Sequence, residues 1–491
     1  MNYTTPEQKG VSSAAIKKYI DILESNQVST HEVILARGED IYFEKYWDPF
    51  CPEYQHRMYS VTKSMVSIAI GFALQDGLLD LNDPISKHFP KEVEAANQTD
   101  ENMLGQTIRN MLMMSTAKTV RGWFWERTPD RVQFYFENDN PSRKPGVRFE
   151  YDSCGSFILG ALVERLTGME LMEYLRVKLF DKIGVSKDAY CLKCPGGHSW
   201  GDSAMICTPR DLLLIARFVL NKGKWNGEQI LDESYIEEAT SNLIDTKVGD
   251  LDDFKSKGYG YYIWRTYDNS FMFYGMGCQF AVCVPEKDMI LIYNGDNQGY
   301  EECEDLIVKN FFECIVRTAS DEALEPNRDK EVEDALQRPL KLMTAKGKDC
   351  SELQEKINGV TFALEENPMG ITECSLRFAE DGCSFDYING QGAKSLQFRM
   401  LENAFSLFPQ EGYSDDVGAE RKANFYYKCA VSAAWLEENK LHLKVQIIDR
   451  YFGRLDIVLE FPKEDEVHIS MKKTAEDFLD EYVGCAVGKA I

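Results

Sequence analysis

Three places in the chain pair a serine with a lysine three residues on: Ser60-Val61-Thr62-Lys63, Ser115 with Lys118, and Ser470 with Lys473. A serine hydroxyl becomes a nucleophile when a neighbouring group takes its proton, and a desolvated lysine is one such group. Spacing that occurs three times does not identify a site. Only Ser60 stands at the head of a long apolar run, Val61, Met65, Val66, Ile68, Ala69, Ile70, Phe72, Ala73 and Leu74, which stops at Asp76-Gly77. Apolar residues nearly all round predict a buried helix, with Lys63 one turn beyond Ser60 on the same face. Two readings of the pair follow. One is a nucleophile with its base; the other is an N-capping serine and a lysine that snorkels to water.

The elements around this run place it in a mixed fold. Residues 12–25 predict an amphipathic helix capped by Ser12 or Ser13, and 31–37 with 41–47 predict a hairpin about Gly38-Glu39-Asp40. Short helices are expected at 107–114, 157–166, 172–180 and 209–221, the last capped by Thr208 with Pro209 behind it. Residues 119–148, with Trp123, Phe124, Trp125, Phe134, Tyr135 and Phe136, read as an irregular loop or lid. Four β-rich runs at 259–264, 271–274, 280–284 and 289–293 predict an antiparallel sheet, followed by a helix near 302–317. The fold class is therefore α+β over 1–318, an antiparallel sheet flanked by helices with a helical subdomain. A charged linker is expected over 319–350, then a small all-β domain, a sandwich or barrel, over 351–491.

At 491 residues the chain is too long for one core. Its net charge of −25 opposes binding to nucleic acid or to anionic lipid. No stretch is long and apolar enough to span a bilayer, and residues 1–7 lack the pattern of a secretory signal, so a cytoplasmic protein is expected. The 14 cysteines are then expected as reduced thiols. Cys191 and Cys194, with His198 beyond, form a lone Cys-x-x-Cys without a second ligand pair, and the six histidines show no i, i+4 pairing. No metal and no cofactor are expected.

Two further stretches complete a possible constellation: Tyr151-Asp152-Ser153, and Gly275-Met276-Gly277-Cys278-Gln279, read as opening a strand. The ordered set of Ser60–Lys63, Tyr151–Ser153 and Gly275–Gln279 resembles the serine β-lactamase and penicillin-binding-protein superfamily. The likeness is closer to its esterase and amidase branch, the class C-like hydrolases and 6-aminohexanoate-dimer hydrolases. Thr107-Ile108-Arg109-Asn110-Met111-Leu112, Pro145-Gly146 and Pro285-Glu286 are similar to the family's pattern as well, and the resemblance covers about residues 10–318. It implies a β-lactamase/transpeptidase-like fold and a small-molecule ester or amide substrate. It also implies that Ser60 is the nucleophile, that Lys63 and Tyr151 are general base and acid, and that Ser153 relays a proton or binds substrate. The oxyanion would meet the N–H of Ser60 at its helix head and a second N–H on the Gly277, Cys278, Gln279 stretch, at Cys278 or Gln279. Penicillin-recognising members carry Lys-Thr-Gly where this chain has Gly275-Met276-Gly277-Cys278, so the cation that meets a β-lactam carboxylate is missing. The alternatives are a catalytically inert ligand-binding relative and a true β-lactamase or D-peptidase.

Overall fold

The structure is a computed structural model that describes residues 2–120, 130–249, 251–379, 382–411, 424–476 and 478–491. Trp123, Phe124 and Trp125 of the expected aromatic loop lie outside the described residues. The chain forms two compact units, divided at Lys341 and Leu342.

The first unit carries the predicted elements with capped ends. Helix α1 (Ser13–Ser25) starts where the Ser12 side chain accepts from Ala15 N, and α2 (Val61–Gln75) follows Ser60. Helix α3 (Ile108–Leu112) is closed by a reciprocal cap between Thr107 and Asn110, and α4 (Arg131–Glu137) contains Phe134, Tyr135 and Phe136, which the sequence leaves in a loop. Helix α5 (Ser153–Thr167) ends on Gly168 at a φ of 68°, and α6 (Pro209–Leu220) has the Thr208 cap. Each cap satisfies N–H or C=O groups that a helix end leaves without partners.

The sheet is built from β1 (Thr30–Arg37), β2 (Asp40–Asp48), β3 (Trp264–Thr266), β4 (Ser270–Gly275), β5 (Gln279–Val284) and β6 (Met289–Gly295). The order of these six is β2-β1-β6-β5-β4-β3, each pair antiparallel, and the short stretches Asn2–Tyr3 and Leu340–Lys341 add to β2 in parallel. The N-terminal hairpin thus completes a sheet whose other strands come more than 200 residues later. Residues 259–263, expected as strand, are not: only Trp264 onward pairs in the sheet. Tyr262 takes a φ of 54°, and Gly260 lies so close to the Ala239 carbonyl that a Cβ would meet its oxygen at 2.1 Å. That path follows the packing against 239–241, and it breaks the period-2 pattern.

Helix α2 packs on α5 and β4, and α6 packs on β5 and β6. Every residue of α2 from Val61 to Ala73 is buried, so the helix is held from all sides. At Gly71 the Tyr235 ring lies where a Cβ would stand, 2.5 Å away, and the Tyr235 hydroxyl donates to Ser67 O at 2.7 Å. The stretch expected as a linker is ordered on this unit through residue 341. Ser320 O accepts from Arg37 Nη1 at 2.6 Å, a helix runs Lys330–Gln337, and Leu340–Lys341 pairs in parallel with Trp47 and Asp48.

The second unit is a closed β-barrel. Nine strands pair in sequence around the ring, and Arg399 and Met400 close it by pairing in parallel with Ser432 and Ala433. Leu441, Leu443, Val445 and Ile447 alternate inward on one strand, and Leu455, Ile457 and Leu459 on the next. Closure removes the free edges that a sandwich would leave.

Replacing Gly71 by alanine raises intrinsic helix propensity by about 1 kcal/mol, yet the Tyr235 ring must move to admit the methyl. Gly71→Ala is therefore expected to lower stability, by about 1–3 kcal/mol, measured as the urea midpoint of the first unit's unfolding. A stabilised variant would show that this contact yields.

Candidate active site

The chain delivers Ser60 through a strained turn. His56–Arg57 pairs antiparallel with Met205–Cys207, and Met58 N donates to Met205 O at 2.8 Å. Tyr59 then adopts a φ of 45°, a left-handed conformation that costs a non-glycine residue about 1–3 kcal/mol. The turn is gripped on two sides. The Arg57 guanidinium sits 4.3 Å from the Tyr59 ring centroid and 4.4 Å from that of Trp200, and it donates to Ser203 O and Oγ, both at 3.1 Å. On the other side Gly275 comes so close to the Met58 carbonyl that a Cβ would lie 2.3 Å from its oxygen.

Ser60 occupies the cap position of α2, but its side chain makes no capping bond. Its Oγ instead accepts from Lys63 Nζ at 2.9 Å, and the same Nζ donates to Asp202 O at 2.6 Å. Lys63 is 1% exposed, so it does not snorkel. The bland reading of the pair fails on both counts. The other two Ser-x-x-Lys copies do not pair internally. Ser115 Oγ donates to Asn110 O while Lys118 Nζ donates to Asn138 O. Ser470 and Lys473 lie on a barrel strand, where a three-residue step points to opposite faces, and Lys473 bonds Asp480.

Tyr151 is brought to the same place. Lys63 Nζ lies 5.0 Å from the centroid of its ring, and the ring stacks on Trp264 at 6.1 Å and 18°. Its phenol makes no hydrogen bond among the described residues. Asp152 caps α5 by accepting from Gly155 N at 3.1 Å, and burial pushes its carboxyl up to about 6. Ser153 is the first residue of α5, half-buried, with its carbonyl accepting from Ser156 Oγ.

The Gly275–Gln279 stretch leads into strand β5, as expected, with Gln279 its first residue. It is the turn of the β4–β5 hairpin, with Gly275 opposite Gln279 and left-handed φ values of 76° at Gly277 and 74° at Cys278. The Cys278 side chain is fully buried, and burial pushes its thiol up. The Gln279 carboxamide donates to Met276 O at 3.1 Å and Gly295 O at 2.7 Å and accepts from Asn294 Nδ2 at 2.7 Å. With both side chains turned inward, the turn offers a ligand its main chain and the half-buried Met276.

Asp202 has no local signal in the sequence, being 139 residues from Lys63. It reaches Lys63 because Gly201 and Gly160 pack with Cα atoms near contact over Val66 of α2. Both carboxylate oxygens of Asp202 are buried without a hydrogen-bond partner. Burial pushes the carboxyl up to about 6, against the pull of Lys63, Arg131 and Arg57. Cys194, of the Cys-x-x-Cys, accepts from Arg131 Nη1 at 3.1 Å, and His198 pairs with Glu164 at 2.7 Å. Among the described residues no cluster of His, Cys, Asp or Glu is arranged to hold a metal.

A model of the Beta-lactamase family matches residues 15–307, more than half of the chain, a span that includes Ser60, Lys63, Tyr151, Asp202 and the Gly275–Gln279 turn. The chain belongs to the beta-lactamase family. Among family relatives, a 6-aminohexanoate-dimer hydrolase of Paenarthrobacter ureafaciens is 24% identical over 48% of this chain and 63% of its own length. A beta-lactamase of Yersinia enterocolitica is 23% identical over 29% of this chain and 36% of its own. The chain thus spans less than two thirds of the length of either. The solved structure of EstCE1, a hydrolase with promiscuous acyltransferase activity, shares the fold with a TM-score of 0.50 at 14% identity, over 61% of this chain and 99% of that one. The family match stops before the barrel, and the beta-lactamase fold of the first unit is the part it describes.

The ionisation of Asp202 makes a testable demand on stability. Its folded value of about 6 lies above the ordinary 3.8, so the native state holds this proton more tightly than the unfolded chain does. Keeping the carboxylate ionised in the fold costs about 3 kcal/mol above pH 6, and the cost is relieved as pH falls through 6 toward 4. Asp202→Asn removes that titration. Relative to wild type it is expected to be about 3 kcal/mol more favourable at pH 8 than at pH 4, read from urea unfolding at both values. An equal difference at the two pH values would mean the carboxyl does not titrate in this way.

Proposed function

We propose that this protein is a serine hydrolase that cleaves a small ester or amide through an acyl-enzyme on Ser60. The observation that carries the reading is the 2.9 Å hydrogen bond from a buried Lys63 to Ser60 Oγ at the head of α2. Ser60 Oγ attacks the substrate carbonyl carbon once the Lys63 ammonium has given up a proton to solvent, and the serine proton passes to the free Nζ amine, the group in contact with it. The developing oxyanion meets the Ser60 N–H, where the dipole of α2 favours negative charge, and an N–H of the Gly277–Gln279 turn. Tyr151 flanks Lys63, and its phenol makes no bond among the described residues. It is the group to hand a proton to the leaving oxygen or nitrogen. Water then attacks the acyl carbon, the proton returns through the same pair to Ser60, and the carboxylic acid leaves.

The substrate class follows from what the turn lacks. Gly275-Met276-Gly277-Cys278 carries no cation to meet the carboxylate of a β-lactam, and Met276 adds apolar surface. The Paenarthrobacter relative is a 6-aminohexanoate-dimer hydrolase, which supports an amide or ester in this position. All 14 cysteines are unpaired, which fits a reducing compartment, and we place the reaction in the cytoplasm. The Yersinia relative keeps β-lactam hydrolysis as the second reading, tested by nitrocefin turnover.

A fluorophosphonate probe is expected to label the wild-type chain and not Ser60→Ala; labelling of that variant would overturn the reading. Lys63→Ala and Tyr151→Phe are each expected to lower kcat/KM on a short-chain nitrophenyl ester by about 10²–10⁴-fold. For Tyr151→Phe the loss should fall on kcat with KM little changed, because the phenol acts on the leaving group.

A further inference from the structure

The Asp202 carboxylate is a buried group that the acyl-transfer steps leave without a part. It is fully buried, and neither of its oxygens has a hydrogen-bond partner. Buried polar groups without partners are rare in folded chains, and a carboxylate is the costly case because an ion loses most on leaving water. Its own main chain meets the base. Asp202 O accepts from Lys63 Nζ at 2.6 Å, and the same Nζ donates to Ser60 Oγ at 2.9 Å. The turn that carries Asp202 is held at three points. Arg57 donates to Ser203 O and Oγ, both at 3.1 Å, Met205 N donates to Thr62 Oγ1 at 2.9 Å, and a Cβ at Gly201 would lie 3.5 Å from Gly160 Cα.

The groups that act on this carboxyl come from several elements. Lys63 stands on α2, Arg57 on the short strand that leads to Ser60, and Arg131 on α4. The thiols of Cys154, Cys191 and Cys194 face it too, and burial pushes each of them up, so they stay neutral. Asp152 and Glu164 act on the same thiols, but each has hydrogen bonds of its own, Asp152 from Gly155 N and Glu164 from His198 and Ser199 N. Burial pushes the Asp202 carboxyl up to about 6, so its charge changes within the pH range of an ordinary assay. An ionised carboxylate beside an ammonium favours the ammonium, and a neutral carboxyl does not. Acyl transfer needs the free Nζ amine, so the carboxylate and the reaction make opposite demands on Lys63.

We propose that Asp202 is a positioning residue for the charge on Lys63: when ionised it holds Nζ as the ammonium that donates to Ser60 Oγ, and it thereby sets the pH at which hydrolysis turns on. The role rests on the reading of Lys63 as the base for Ser60. The proton that leaves Nζ goes to solvent, the carboxylate keeps its charge, and no other bond forms or breaks before Ser60 attacks. Above pH 6, where Asp202 is ionised, that departure leaves a buried carboxylate without its opposite charge. The rise of kcat/KM is therefore displaced to higher pH. An uncharged side chain at 202 removes the opposition.

The pH dependence of kcat/KM on a short-chain nitrophenyl ester tests it in the full chain. In Asp202→Asn, whose carboxamide carries no charge at any pH, the rise is expected about one pH unit or more below its wild-type position. Asp202→Ala is expected to move it in the same direction, which keeps the test open if Asp202→Asn does not fold. A second readout needs no turnover. In a chain whose lysines carry carbon-13 at Cε, the Lys63 resonance, assigned by its loss in Lys63→Gln, is expected to pass from ammonium to amine at lower pH in Asp202→Asn than in wild type. A wild-type chain that neither reacts with a fluorophosphonate nor turns over the ester would sink the hydrolase reading and the catalytic consequence with it, while the lysine titration would still decide whether Asp202 holds the ammonium. A rise of kcat/KM at the wild-type pH in both Asp202 variants, or a Lys63 titration in Asp202→Asn at the wild-type pH or above it, would each overturn the proposal.

Discussion

A buried ammonium at the head of a buried helix is the constraint that the rest of the first unit answers to. Taking a charge out of water costs several kcal/mol unless it is hydrogen-bonded and its field is matched. Lys63 meets Ser60 Oγ and the Asp202 carbonyl, and the Asp202 carboxylate supplies the opposite charge. That carboxylate is itself unsatisfied by any donor, so the two buried charges depend on one another through space. Arg57 and Arg131 act on the same carboxylate.

Holding these groups requires strain and close approach elsewhere. Tyr59 is left-handed without being glycine, and the strain persists because Arg57, sandwiched between Tyr59 and Trp200, leaves its ring nowhere else to go. Gly275 must lack a side chain because the Met58 carbonyl occupies the space. The inward-facing Gln279 then ties the hairpin turn to Gly295 and Asn294 on the next strand. The hairpin turn is therefore anchored through the sheet core.

The two units solve different problems with different periodicities. In the first, a helix buried all round is wedged between a second helix and a sheet, which gives a deep interior for charged chemistry. In the second, alternation along strands such as Lys440–Ile448 and Phe452–Lys463 fills a closed barrel with a largely apolar interior.

Local rules were legible in the sequence wherever one stretch of chain supplies both partners of an interaction. The caps at Ser12, Thr107 and Thr208, the glycine stop at 168, the apolar run after Ser60 and the alternation of the barrel strands all depend on neighbours a few residues apart. The choice among three Ser-x-x-Lys copies rested on the helix behind Ser60, which is also local. Whatever needs a distant partner was not legible. Residues 259–263 look like strand but follow the packing against Ala239. Phe134–Phe136 look irregular yet sit in a helix. That Gly275 must lie against the Met58 carbonyl is not visible along the chain. Asp202 cannot be found at all without the fold, because only the contact of Gly160, Gly201 and Val66 carries it 139 residues back to Lys63. The sequence by itself determined which residue types were on hand for acyl transfer and on which helix they stand. Tertiary structure alone decided which of them share a buried, charge-matched space, because burial and electrostatic fields are set by atoms near in space and not along the chain.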